Sequence, residues 1–152
     1  MATFVYQGLT GLTAAMFLWL VSAGLTIAFG VCGILNIAHG VLYMFGGYFL
    51  LTFYQLFGLN FWLSLILASI SVGFIGLMME LGFFRPIYKE PIEIQLVLTF
   101  AFVWLFDDIA KLTWGPVSRS VAMPDFFQGF IFIMGRPFPV YSLFIIFAGI
   151  AM

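Results

Sequence analysis

Residues 1–79 contain no Lys, Arg, Asp or Glu, and the first charge in the chain is Glu80. No other feature narrows the fold as much. A water-soluble chain places charged groups on its surface throughout its length, at roughly a quarter of all positions. Here only 7% of residues are charged and 64% are hydrophobic. Lipid is the solvent in which such a chain can face outward with apolar side chains, provided that each crossing satisfies its own backbone hydrogen bonds. The fold class that follows is all-α: a polytopic transmembrane helical bundle. About 20 apolar residues span the hydrocarbon, so the charge-free region has room for three crossings.

Hydropathy predicts about five hydrophobic segments. The first covers residues 8–29 and is followed by a Gly-rich break over 30–40. The second covers 41–57 and ends at a Gly58-Leu59-Asn60 turn signal; the third covers 61–84. A polar loop over 85–93 carries Arg85, Lys89, Glu90 and Glu93 with Pro86 and Pro91. The fourth segment covers 94–114. A longer connection over 115–137 includes an apolar stretch, 126–134, that is too short to cross and is expected to be a surface or re-entrant piece. The fifth segment begins at Phe138. A helix over 138–152 rises about 22 Å, less than the roughly 30 Å of hydrocarbon, so the chain is expected to be a fragment of a longer protein. The positive charges of the two connections nearly balance. Placing the compact 85–93 loop in the cytoplasm puts the N-terminus outside. The first apolar run lacks the basic start of a secretory signal and reads as a retained span.

Small residues recur at helical spacing: Gly11 and Ala15, Gly24 and Ala28, Ser64 and Ala68, then Ser69, Gly73 and Gly76. Such residues let helices approach closely in lipid. They predict a packed bundle and carry no information about a solute.

The polar side chains inside this apolar background are the candidate functional residues. Asn36 and His39 lie within the break, three apart, where a helix would put them on one face. They either line a solute path across a bent element, or form an interfacial turn in which Asn36 caps the next helix and His39 bonds a backbone carbonyl. Asp107 and Asp108 lie four and three residues before Lys111. They form either an ion-paired helix end or a contact that fixes this helix against another or against the path. Gln95 and Thr99, one turn apart at the start of the fourth segment, are expected to hydrogen-bond between helices or to line the path. Glu80, Arg85, Lys89, Glu90 and Glu93 read as a solvated loop. Trp104, Trp114 and Tyr141 fit interfacial anchoring or packing.

Several function classes are disfavoured. The net charge is −1 with no basic run, so nucleic acid is not an expected partner. Cys32, the single cysteine, is expected to be a small packing residue. No His or carboxylate stands at ligand spacing from His39, so no metal is expected. No phosphate-binding Gly-x-x-x-x-Gly-Lys loop is present, so ATP hydrolysis would have to sit on another subunit. The polar groups are too few and too scattered for a membrane enzyme. No cofactor is expected.

The stretch Gly24-Leu25, Phe29-Gly30-Val31, Gly33-Ile34-Leu35-Asn36-Ile37-Ala38-His39-Gly40, Tyr43-Met44 and Gly46-Gly47-Tyr48 resembles the permease subunits of branched-chain amino acid ABC importers. Their urea and amide relatives share its Asn-hydrophobic-Ala-His-Gly core. Further matches follow in order: Arg85-Pro86-Ile87-Tyr88, Gln95-Leu96-Val97-Leu98-Thr99-Phe100, Asp107-Asp108, Trp114-Gly115, and more loosely Phe138-Pro139-Val140-Tyr141. At Asp107 the family often carries Glu, which keeps the charge. The resemblance covers most of the chain and implies the N-terminal half of a permease about twice as long. It implies a multi-pass protein of the bacterial inner membrane that pairs with a second permease subunit. A periplasmic solute-binding protein would deliver the solute, and cytoplasmic ATPase subunits would drive alternation between outward- and inward-open states. Two other readings stay open: a secondary transporter or channel using His39 and Asp107/Asp108 as proton or ion sites, and a structural membrane subunit with no path of its own.

Overall fold

The computed structural model describes residues 2–33, 36–117, 119–133 and 135–152, with the side chains of residues 2, 31, 32 and 125 excluded. The packing role expected of Cys32, and Ile34-Leu35 of the break, lie outside the described residues. The helices are α1 (Ala2–Cys32), α2 (His39–Leu51), α3 (Phe61–Met79), α4 (Ile92–Trp114) and α5 (Val140–Ala151). Both α2 and α3 end in a π-helical turn, Thr52–Leu56 and Glu80–Phe84 respectively. Among the described residues, two segments are long and apolar enough to cross a membrane by themselves, Thr3–Gly30 and Phe61–Ile87. The boundaries expected for the second to fifth segments agree with the helices to within a few residues.

The break is shorter than its glycines suggest. Gly30 lies within α1 and Gly40 within α2. The chain leaves the helix at Gly33, whose φ of 69° places it in the left-handed region that only glycine enters without strain. Its N–H still bonds the Phe29 carbonyl at 2.8 Å, closing the last turn of α1.

The chain divides into two compact units, Leu25–Ala122 and Met1–Gly24 with Met123–Met152. In the first unit, Gly58-Leu59-Asn60 reverses the chain between α2 and α3. Asn60 caps α3 by accepting the Trp62 N–H at 3.0 Å. The helix α3 packs small residues inward and large ones outward. Ser64 and Ala68 are buried, while Ile66, Ile70 and Phe74 are 57%, 62% and 62% exposed. That is the arrangement expected where lipid, not water, surrounds the fold. Ala38, at the start of α2, packs with Met79 and Phe84 at the end of α3 and with Phe102 of α4. Further along, Val41 and Phe45 pack on Ala110, and Tyr48 stacks on Trp114 with ring centroids 4.9 Å apart. The order of these contacts makes α2 and α4 parallel and α3 antiparallel to both.

In the second unit, the apolar stretch of the long connection is mostly extended. After a 3-10 turn, Asp125–Phe127, it forms an antiparallel hairpin of β1 (Phe130–Ile133) and β2 (Arg136–Pro139). Gly135, at φ 81°, sits in the tight turn where that conformation is required. The hairpin docks on the start of α1. Phe138 is buried edge-on against Tyr6, and Arg136 lies over the same ring while donating to Thr3 Oγ1 at 3.1 Å. Gly11 and Ala15, expected on an internal face, are exposed here. The close helix approach uses Gly149 instead, where a Cβ would come within 2.8 Å of Met16 Sδ.

Candidate functional site

Asn36 and His39 do not share a helix face. Asn36 precedes α2 in a turn, and its backbone carbonyl accepts the His39 N–H at 3.1 Å. The residue at the cap position of α2 is Ala38, which makes no side-chain bond. The expected capping by Asn36 is therefore not made, and the half-exposed His39 imidazole has no hydrogen-bond partner among the described residues. Ala38 is fully buried. It packs with Met79, Phe84 and Phe102, and because α2 begins only at His39, Asn36 lies outside the helix.

Asn36 lines a cavity of about 90 Å³. Ala28 of α1, Leu42 of α2, and Met79 and Phe84 at the end of α3 form its apolar walls, and Gly76 leaves space by lacking a side chain. Its second polar wall is Glu80, which sequence reasoning assigned to the solvated loop. The difference comes from the π-helical turn Glu80–Phe84, which extends α3 by one more turn and keeps Glu80 inside the helical unit, half-buried. The Tyr88 hydroxyl donates to the Glu80 carboxylate, so the short loop is tied to the cavity wall. Asn36 Oδ1 is buried and has no donor among the described residues. A buried acceptor left unsatisfied costs about 1–3 kcal/mol, and native proteins keep such groups rare. The signal that could have revealed Glu80 in the sequence is its place: it is the first charge after the long apolar region, directly continuous with a helix.

Gln95 and Thr99 are buried at the start of α4 but bond locally, not between helices. Gln95 Nε2 donates to the carbonyls of Glu90 at 3.0 Å and Ile87 at 3.5 Å, which holds the Arg85–Glu90 loop against α4. The Thr99 hydroxyl bonds the Leu96 carbonyl of its own helix at 2.9 Å. Asp107 pairs with Lys111 one turn on, as the spacing predicts. Asp108 does not join that pair and is exposed. Trp114 acts in packing: it meets Phe45, Tyr48 and Phe49, and its indole N–H donates to Thr52 Oγ1 at 2.9 Å.

The fold and the site define a helical membrane protein with a small, mostly apolar cavity, lined by the polar Asn36 and Glu80, at the break between its first two helices. Residues 8–152 match the family described as the permease component of branched-chain amino acid transport systems. The chain belongs to that family. Among its relatives is the high-affinity branched-chain amino acid transport system permease protein LivH of Salmonella typhimurium. It is 29% identical over 134 residues, covering 83% of this chain and 43% of the relative. LivH of Escherichia coli K12 is 29% identical over 136 residues with the same coverage. The chain therefore spans less than half the length of these relatives. No solved structure matches it.

Proposed function

We infer that the protein is a membrane-embedded permease subunit of an ATP-driven importer, and that it moves branched-chain amino acids across the bacterial inner membrane. The observation that carries this reading is the family match over residues 8–152. The substrate class follows that of the LivH relatives. Urea and short amides are the alternative solutes. The permease does no chemistry on its solute. It offers a path with two arrangements of different affinity, whose balance ATP binding on separate subunits shifts. Its partners in this reading are a second permease subunit, cytoplasmic ATPase subunits and a periplasmic solute-binding protein.

Residues 1–152 act as part of one multi-pass domain. The N-terminus is outside, and the Arg85–Glu90 loop is on the cytoplasmic side with the ATPases. Asn36, His39, Gln95, Thr99, Asp107 and Asp108 are the candidate path or positioning residues. Glu80 joins them, because it shares a cavity with Asn36. The secondary-transporter reading gains no support from Asp107, which is held by Lys111.

Reconstitution of the full-length permease with its ATPases and binding protein in vesicles tests the proposal. Labelled leucine should accumulate only when ATP is supplied, and excess isoleucine or valine should compete where urea does not. Leucine accumulation driven by an ion gradient without ATP would refute it.

A further inference from the structure

The cavity beside Asn36 has a composition that suits one chemical group. Its polar walls are Asn36 and Glu80, and the rest of its lining is apolar; Asn36 Oδ1 is itself buried beside the space and has no donor among the described residues. Both polar walls offer oxygen acceptors. The missing partner is a donor, and the carboxylate favours a positively charged one. Torsion about the last bond of an asparagine side chain is soft, so Oδ1 can turn into the cavity without backbone movement. The apolar walls lower the local polarity, which strengthens any such attraction. Size narrows the occupant further. At about 90 Å³ the space is smaller than the roughly 150 Å³ that takes a benzene ring. It suits an ammonium head group with its first carbons, not a whole aliphatic amino acid.

We propose that this cavity is a seat for the primary ammonium group of an amino acid solute, accepted by the Glu80 carboxylate and Asn36 Oδ1. The proposal rests on the amino acid import reading and adds a named contact to it. The Tyr88 hydroxyl, bonded to Glu80, positions the carboxylate and links occupancy of the seat to the Arg85–Glu90 loop. The solute's aliphatic part lies outside the cavity. The seat therefore discriminates amine from non-amine and leaves the choice among leucine, isoleucine and valine to other contacts.

Two measurements on the full-length protein test this. The first is leucine uptake by the complete transporter in vesicles. Glu80→Gln and Asn36→Leu should each lower uptake about tenfold or more, while Glu80→Asp, which keeps the charge, retains a larger part. Replacing sodium by choline should leave wild-type uptake unchanged; a loss would assign the seat to an inorganic cation and overturn the proposal. The second measurement separates a seat from a merely structural role. With Cys32→Ser as background, Asn36→Cys is labelled by cationic 2-aminoethyl methanethiosulfonate and by neutral methyl methanethiosulfonate. The cationic reagent should react about tenfold faster or more, Glu80→Gln should abolish that preference, and leucine should slow the labelling where 4-methylpentanoate does not. Equal rates for the two reagents, or a preference that survives Glu80→Gln, would overturn the seat. Failure of wild-type leucine uptake would instead remove the import reading on which it rests.

Discussion

The parallel pair α2 and α4 is built differently at its two ends. At one end Phe45, Tyr48, Phe49 and Trp114 interlock their rings, and the Trp114 indole closes on the Thr52 hydroxyl. Each polar atom named there is satisfied. At the other end Ala38 packs tightly, but beside it lies a hollow with an unpartnered Asn36 oxygen and a half-buried Glu80. Rigid, filled packing holds one arrangement, whereas an unfilled polar hollow leaves interactions to be completed by something else. The comparison teaches that the filled end anchors the pair and the hollow end is where a solute or a conformational change has interactions to gain.

Substitutions can break or sharpen this contrast. The largest effect is expected at the filled end: Trp114→Ala should destabilise the protein by about 3 kcal/mol, chiefly through lost ring packing and with the loss of the indole bond to Thr52 Oγ1, seen as a lower thermal unfolding midpoint in detergent. A negligible shift would mean that the filled end anchors nothing. Next comes Gln95→Leu, which leaves the Ile87 and Glu90 carbonyls without their side-chain donor. A loss of about 1–2 kcal/mol is expected, with faster hydrogen exchange over residues 85–91. Gly76→Ala should act in the opposite direction. A Cβ there meets nothing within 4 Å, and replacing a mid-helix glycine by alanine stabilises by about 0.5–1 kcal/mol. Uptake should nonetheless fall, because the methyl group narrows the hollow. The smallest effect is expected for Lys111→Ala. The Asp107–Lys111 pair is half exposed, and such pairs contribute about 0.3–0.5 kcal/mol. A loss several times larger would mean that Asp107 sits in hydrocarbon and would move it into the group of functional contacts.

Legibility from the sequence varied with the range of the interaction. The helices were readable because crossing length and apolar content are local properties: the fourth segment was expected over 94–114 and is found at Ile92–Trp114. The Asp107–Lys111 pair was readable because i,i+4 spacing alone brings the two together. The hairpin at Phe130–Pro139 was not. Its register depends on Gly135 turning the chain and on Phe138 finding Tyr6 on a helix more than a hundred positions away. Asn36 lies within the break, but its supposed helical alignment with His39 is not met, since α2 begins only at His39.

By itself the sequence determined the solvent and the class. A long run without charge is soluble only in lipid, where backbone hydrogen-bond satisfaction admits helices or closed barrels, and continuous apolar segments of about 20 residues select helices; the ordered motifs then specify the permease family. Which polar side chains meet was decided only by tertiary packing. Glu80 and Asn36 lie on opposite sides of α2 in the chain, and they share a cavity because α3 runs back along α2 and continues through one π-helical turn. No spacing rule reaches that far, because the placement depends on how Ala38, Met79, Phe84 and Phe102 fill space together.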